Sequence, residues 1–139
     1  MPKFVPYHKE LSFSYALGPF PSLELLRARP QCARALLLHP DGLRNEGVEK
    51  LCGECRARGL YIEEAPRAIE RISGKENCYA ALAFDKYEDM LTQGNHIVLH
   101  NPSDRGNMGT ILRTALGFGY RDVAVVRPAV DVFDPHVVR

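Results

Sequence analysis

Residues 100–119, HNPSDRGNMGTILRTALGFG, decide how this chain is read. The apolar run at 96–99 precedes them and a second apolar run, 122–126, follows. The order is therefore strand end, glycine-containing loop, helix over about 107–118, and return strand: one βαβ crossover with a parallel sheet. On a helical wheel Phe118, Ile111, Ala115, Met108, Leu112 and Leu116 share one broad arc, which is expected to bury against the strands. Gly109, Arg113, Gly117, Thr110 and Thr114 share the other. A solvated helix face ordinarily carries Glu, Lys and Gln, whereas here one arginine stands between two glycines. A glycine inside a helix costs about 1 kcal/mol relative to alanine, so two of them suggest close approach to the backbone beside Arg113. The plainer alternative is an ordinary surface arginine.

Asn107 suits the N-cap of this helix, satisfying the amide of Thr110, and is compatible with a second role in a site. The free amides at the helix start make a modest anion site. The loop is not a dinucleotide fingerprint, because its GxxG spacing does not match GxGxxG. It also lacks the terminal Gly-Lys-Ser or Gly-Lys-Thr of a P-loop. The arrangement suits a phosphorylated or nucleic-acid substrate.

Working outward, the upstream chain alternates short apolar strands with helices. Residues 1–20 carry Pro2, Pro6, Pro19 and Pro21 and read as an arm or short strand. Ser22 is expected to cap a helix running to about 28, with Leu23, Leu25 and Leu26 inward and Pro30 ending it. Strands are expected at 34–39, 60–62 and 79–84, and helices at 45–58, with Gly59 past its end, and 66–72. This pattern predicts a compact α/β unit over 12–88, with Gln93-Gly94-Asn95 as the joint to the βαβ segment. The division follows as two domains, 1–92 and 93–139. Asp134-Pro135 has the form of an N-cap and first position of a further helix. Val123, Val125 and Val132 are expected on poorly covered surface.

Composition sets limits on function. The 139 residues include 18 basic and 17 acidic side chains, a net charge of +1, so nucleic-acid binding would have to come from a local patch. Candidates for such a patch are Arg27, Arg29, Arg34, Arg56 and Arg58, although Glu24, Glu49 and Glu54 lie among them and oppose it. No apolar run approaches the roughly 20 residues of a membrane span. Four cysteines are few for a secreted scaffold, which favours a reducing cytoplasm. Cys52 and Cys55 form a CxxC, but Cys32 and Cys78 are isolated and no histidine stands at ligand spacing. The pair therefore reads as small core hydrophobes in preference to a metal site.

Residues 104–115, DRGNMGTILRTA, followed by Gly117-Phe118-Gly119, resemble the first signature motif of the SpoU/TrmH-type RNA 2′-O-ribose methyltransferases of the SPOUT superfamily. Residues 131–139, DVFDPHVVR, resemble the segment leading into that family's next helix. The N-terminal unit is similar in pattern to the family's substrate-binding domain, a relative of small kink-turn-binding ribosomal proteins. The resemblance thus implies a small α/β substrate-binding domain followed by the opening βαβ of an α/β-knot methyltransferase domain.

Arg105 stands where the family usually has proline, and Glu76-Asn77-Cys78-Tyr79 where it often has His-Gln-Gly. The later motifs, which build the S-adenosylmethionine pocket inside a C-terminal trefoil knot, have no counterpart in these residues. Cofactor-binding residues are therefore unknown, and the chain alone is expected to be inactive and not to bind S-adenosylmethionine.

By the same resemblance, a ribose 2′-hydroxyl of tRNA or rRNA attacks the methyl carbon of S-adenosylmethionine. Arg113 maps onto the motif arginine, which contacts the target phosphate. A guanidinium stays protonated, so an electrostatic and orienting role suits it better than that of a general base. Asn107 would position the loop, and Arg139 would give a second RNA contact. The family is usually homodimeric through the catalytic domain. The alternative reading is a non-catalytic RNA-binding module.

Overall fold

The computed structural model describes residues 4–74 and 77–138. Its elements run β1 (Phe13–Leu17), α1 (Pro19–Ala28), β2 (Ala33–Leu38), α2 (Glu46–Ala57), β3 (Tyr61–Glu64), α3 (Pro66–Ser73), β4 (Ala80–Asp85), β5 (His96–His100), α4 (Arg105–Gly117), β6 (Asp122–Val126) and α5 (Pro135–Val138).

The first four strands form one sheet in the order β1-β4-β2-β3, with β4 antiparallel to both neighbours and β2 parallel to β3. Both faces of the sheet are covered, and so its central strands are apolar without alternation. Leu36, Leu38, Leu82 and Phe84 point to the α1/α2 face and meet Leu26, Val48, Leu51, Cys52 and Cys55. Leu37, Ala81, Ala83 and Tyr15 point to the other face and meet Ile69 and Ile72 of α3. The N-terminal arm completes that second layer through Phe4 and Tyr7, and Tyr15 Oη donates to the Val5 carbonyl at 2.6 Å.

Local chemistry sets the helix ends. Asn45 Oδ1 accepts from the amides of Gly47 and Val48 at 2.9 and 3.2 Å, which makes it the N-cap of α2. Gly74, at φ +64°, closes α3 in the left-handed conformation. Ser22 differs from expectation. The helix begins three residues earlier, at Pro19, because proline is well placed in a first turn that needs no amide. Ser22 is buried within that turn and donates back to the Gly18 carbonyl at 2.6 Å.

Strands β5 and β6 pair in parallel, from His96 opposite Asp122 to His100 opposite Val126. The crossover through α4 is the one the sequence predicted. Its packing is thinner: α4 buries Met108, Gly109 and Ala115, while Leu116 and Phe118 are 62% and 79% exposed. A two-stranded sheet is too narrow to cover the whole apolar arc. Val123, Val125 and Val132 are half-buried, and the large apolar strand residue left most open is Val98, at 62%.

Segment 131–138, ending in α5, folds back onto the first sheet. Phe133 joins the α1/α2 face, packing on Phe84 and Tyr87 with ring centroids 6.3 and 5.5 Å away. No helix among the described residues is long and apolar enough to cross a membrane.

Candidate functional site

Helix α4 lies between the two strands as the βαβ reading requires, but it starts earlier, at Arg105, and its cap is Asp104. The carboxylate Oδ1 accepts from the Asn107 amide at 2.7 Å. Asn107 thus lies inside the first turn, exposed, and is not the N-cap. An aspartate three residues upstream competes better, because its charge also favours the positive end of the helix. That amide is already used, so the helix start is a poorer anion site than the sequence alone suggests. Thr110 Oγ1 donates to the Gly106 carbonyl at 2.9 Å, closing the same turn.

Arg113 lies two turns into α4, exposed, with its guanidinium over Gly109: a Cβ added at Gly109 would stand 3.1 Å from Arg113 Nη1. The same Cβ would be 3.3 Å from the Val137 carbonyl oxygen of α5. The expected close approach at Gly109 is therefore real, and the approaching groups belong to the chain itself. Gly117 has nothing near it. Arg105 Nη1 sits 3.4 Å from Asp134 Oδ2, across the N-termini of α4 and α5. Asp134 also caps α5, accepting the His136 amide at 2.8 Å. Where the family usually has proline, an ion pair thus joins the two helices. Arg113 and α5 form one corner of the molecule, and Asn107 is exposed a turn and a half earlier on α4.

The candidate patch on the first unit is held in place and largely offset in charge. Arg27 pairs with Glu24 at 2.9 Å on the surface of α1. Arg29 pairs with Asp89 and lies over the Tyr87 ring, 4.3 Å from its centroid. Arg34 pairs with Asp85 at 3.3 Å and lies over Phe13 at 4.9 Å. A local shift in the β2–β4 register falls between Ala33 and Ala35 and turns Arg34 outward. Arg58 pairs with Glu54. Each of these four arginines is paired with one carboxylate, which offsets its charge. Arg29 and Arg34 differ from Arg27 in resting on aromatic rings, which fixes their direction. Lys86 was not singled out from sequence. It projects between Tyr7 and Phe133, 5.0 and 5.9 Å from their centroids; its antiparallel pairing context, invisible in a linear reading, puts it there. Arg139 lies outside the described residues.

Cys52 and Cys55 face the core on α2. Burial pushes the Cys55 thiol up to about 11 and the Cys52 thiol in the same direction, which disfavours the thiolate a metal or redox site needs. Among the described residues no group of three or more metal-binding side chains is gathered. Two concavities border the βαβ unit. One, about 410 Å³, is lined by residues that include Thr92, Asn95, Phe118, Arg121 and Asp122; the other, about 280 Å³, lies between Ile97, Ile111, Ala115, Phe118 and Tyr120. Neither is lined by Asn107 or Arg113.

With this architecture in place, solved structures of RNA methyltransferases are found to share it. An rRNA methyltransferase from Sinorhizobium meliloti matches at 24% identity over 94% of this chain and 50% of its own, with a TM-score of 0.72. It has also been solved with AdoMet bound, matching at 23% identity over 92% of this chain and 49% of its own, with a TM-score of 0.70. The SpoU methyltransferase AviRb from Streptomyces viridochromogenes matches at 23% identity over 92% and 48%, TM-score 0.72. A TrmH-family protein from Porphyromonas gingivalis matches at 27% identity over 92% and 49%, TM-score 0.67. The chain therefore has an α/β RNA-methyltransferase fold. More narrowly, it resembles the SpoU/TrmH group, in agreement with the motif at 104–115, and spans about half the length of these structures. No protein-family model matches the sequence, and no curated protein matches it.

Proposed function

We propose that the chain contributes RNA recognition and the motif arginine to an S-adenosylmethionine-dependent RNA 2′-O-ribose methyltransferase acting on tRNA or rRNA. In this reading residues 1–92 are the substrate-binding domain, of the kink-turn-binding ribosomal-protein type, and 93–139 open the catalytic domain. The observation that carries it is Arg113: an exposed guanidinium laid over Gly109, on the helix of a βαβ unit whose sequence resembles the SpoU/TrmH motif.

Arg113 would grip an RNA phosphate beside the target ribose through its planar fork of donors, orienting the 2′-hydroxyl without removing its proton. Asn107, exposed near the start of α4, would order the substrate strand. Arg27, Arg29 and Arg34, the last two aimed by their rings and carboxylates, would contact the RNA backbone along the first unit, and Arg139 would give a second contact near the substrate. When bound, S-adenosylmethionine supplies the methyl group. The residues that would hold the cofactor are not legible from the motif at 104–115, and none is assigned to it. The homodimer that the family resemblance implies is built through the catalytic domain and is not carried over to these residues.

Titrating the chain with tRNA and with rRNA fragments at several salt concentrations tests the reading. Arg113→Ala should weaken binding about tenfold and lower the salt slope by about one ion. Arg113→Lys should restore the slope but not the full affinity. Absence of RNA binding by the unaltered chain would sink the proposal. Labelled methyl transfer to RNA by these 139 residues would exclude the binding-only alternative.

A further inference from the structure

We infer that Phe133 is a positioning residue: it locks the βαβ unit onto the edge of the first sheet, so that Arg113 and Arg29 are held on one rigid RNA surface.

Two units joined by a short linker are by default free to move relative to one another unless a well-packed interface forbids it. Here β1 is an edge strand of the first sheet, and segment 131–133 grips it from both sides. On the α1/α2 face, Phe133 packs against Phe84 and Tyr87, and its carbonyl accepts from Ser14 Oγ, a side chain of β1 with no solvent exposure. On the opposite face Tyr7, seated among the α3-side residues, donates its hydroxyl to Asp131. Lys86 bridges the two grips over both rings, and Lys86 Nζ also donates to the Lys9 carbonyl at 2.8 Å. This covers a strand edge that would otherwise expose unpaired backbone.

The same segment is tied as firmly to the βαβ unit. The Val130 amide donates to the Pro102 carbonyl at 2.7 Å, in the loop between β5 and α4. Arg105 holds Asp134 at 3.4 Å, and Val137, which is buried, sets its carbonyl against Gly109 under the Arg113 guanidinium. From the other end, Tyr87 touches Phe133 on one side and carries the Arg29 guanidinium on another. A continuous run of contacts therefore links Arg29 to Arg113 through Tyr87, Phe133, Asp134 and Val137. The RNA-facing consequence rests on the function proposed above; the lock itself does not.

Backbone ¹⁵N relaxation of the full chain without RNA tests the lock. The two units should share one rotational correlation time in the unaltered protein. In Phe133→Ala the value for residues 96–138 should fall by roughly a factor of two while the first unit keeps its own. Phe133→Leu, which retains an apolar plug, should restore a single value. Two correlation times in the unaltered chain would overturn the lock, and that measurement stands even if the alanine variant fails to fold. So would a single value in Phe133→Ala. A stem-loop RNA spanning both surfaces should bind Phe133→Ala at least tenfold more weakly than the unaltered chain, because rigid bivalency is lost. Equal affinity with two correlation times would overturn the single-surface claim alone. No RNA binding by any form would remove the proposed function and leave the lock to be decided by relaxation.

Discussion

Gly109 of α4 faces the backbone carbonyl of Val137 in α5, with room for a Cβ only at 3.3 Å from that oxygen and 3.1 Å from Arg113 Nη1. Replacing glycine by alanine inside a helix gains about 1 kcal/mol. Here the gain is offset by a shift of a few tenths of an ångström in α5 and in the arginine. Gly109→Ala should therefore leave the thermal midpoint within a few degrees of the unaltered chain, while weakening RNA binding by moving the guanidinium. Circular dichroism melting and RNA titration separate the two effects. A clear loss of stability with unchanged RNA affinity would contradict this account of the corner.

A much tighter approach occurs at Gly42, in the single helical turn Pro40–Gly42 after β2. A Cβ there would stand 2.2 Å from Tyr79 Cβ and 2.6 Å from its Cγ. These atoms are near the backbone and cannot swing away. Gly42→Ala should destabilise the chain by about 2 kcal/mol or more through overpacking, seen as a lowered urea midpoint. A midpoint equal to that of the unaltered chain would show that the turn repacks freely.

Much of this was legible in the sequence, for identifiable reasons. Residues 34–39 and 79–84 are short apolar runs ended by turn residues, and the strands fall within one residue of them, at Ala33–Leu38 and Ala80–Asp85. Asn45 and Gly74 carry local chemistry that fixes a helix end without help from the rest of the fold. The failures are tertiary. Ser22 and Asn107 are good caps in isolation, but Pro19 and Asp104 start their helices earlier. Leu116 and Phe118 share the apolar arc, yet a two-stranded sheet offers them no partner. Whether Arg29 and Arg34 are bare or paired depends on Asp89 and Asp85, 60 and 51 positions along the chain, and no periodicity reports such pairings.

The caps at α4 give a direct comparison. Asp104→Ala removes the side chain that accepts the Asn107 amide, and should cost about 1 kcal/mol of stability. Asn107→Ala removes only an exposed first-turn side chain and should change stability by less than about 0.5 kcal/mol. Under the proposed function the order reverses for RNA, with Asn107→Ala weakening binding the more. Denaturation and RNA titration of the two variants would expose an error in either assignment.

The buried thiols predict how stability depends on pH. Burial raises Cys55 from an ordinary 9.0 to about 11, so the folded protein holds that proton more tightly than the unfolded chain does. The contribution is fully present below pH 9 and is lost as the pH rises through 11. Tyr15, also raised by burial, to about 12 from 10.0, extends the loss further into alkali. Urea midpoints should accordingly stay level up to pH 9 and fall steadily above it, and Cys55→Ala should flatten the part between 9 and 11. Thiol labelling at pH 8 should reach half-buried Cys78 before Cys52 or Cys55, which react only as the core opens. A wild-type midpoint that does not move between pH 9 and 11, or labelling of Cys55 ahead of Cys78, would show that α2 does not seal this side of the core.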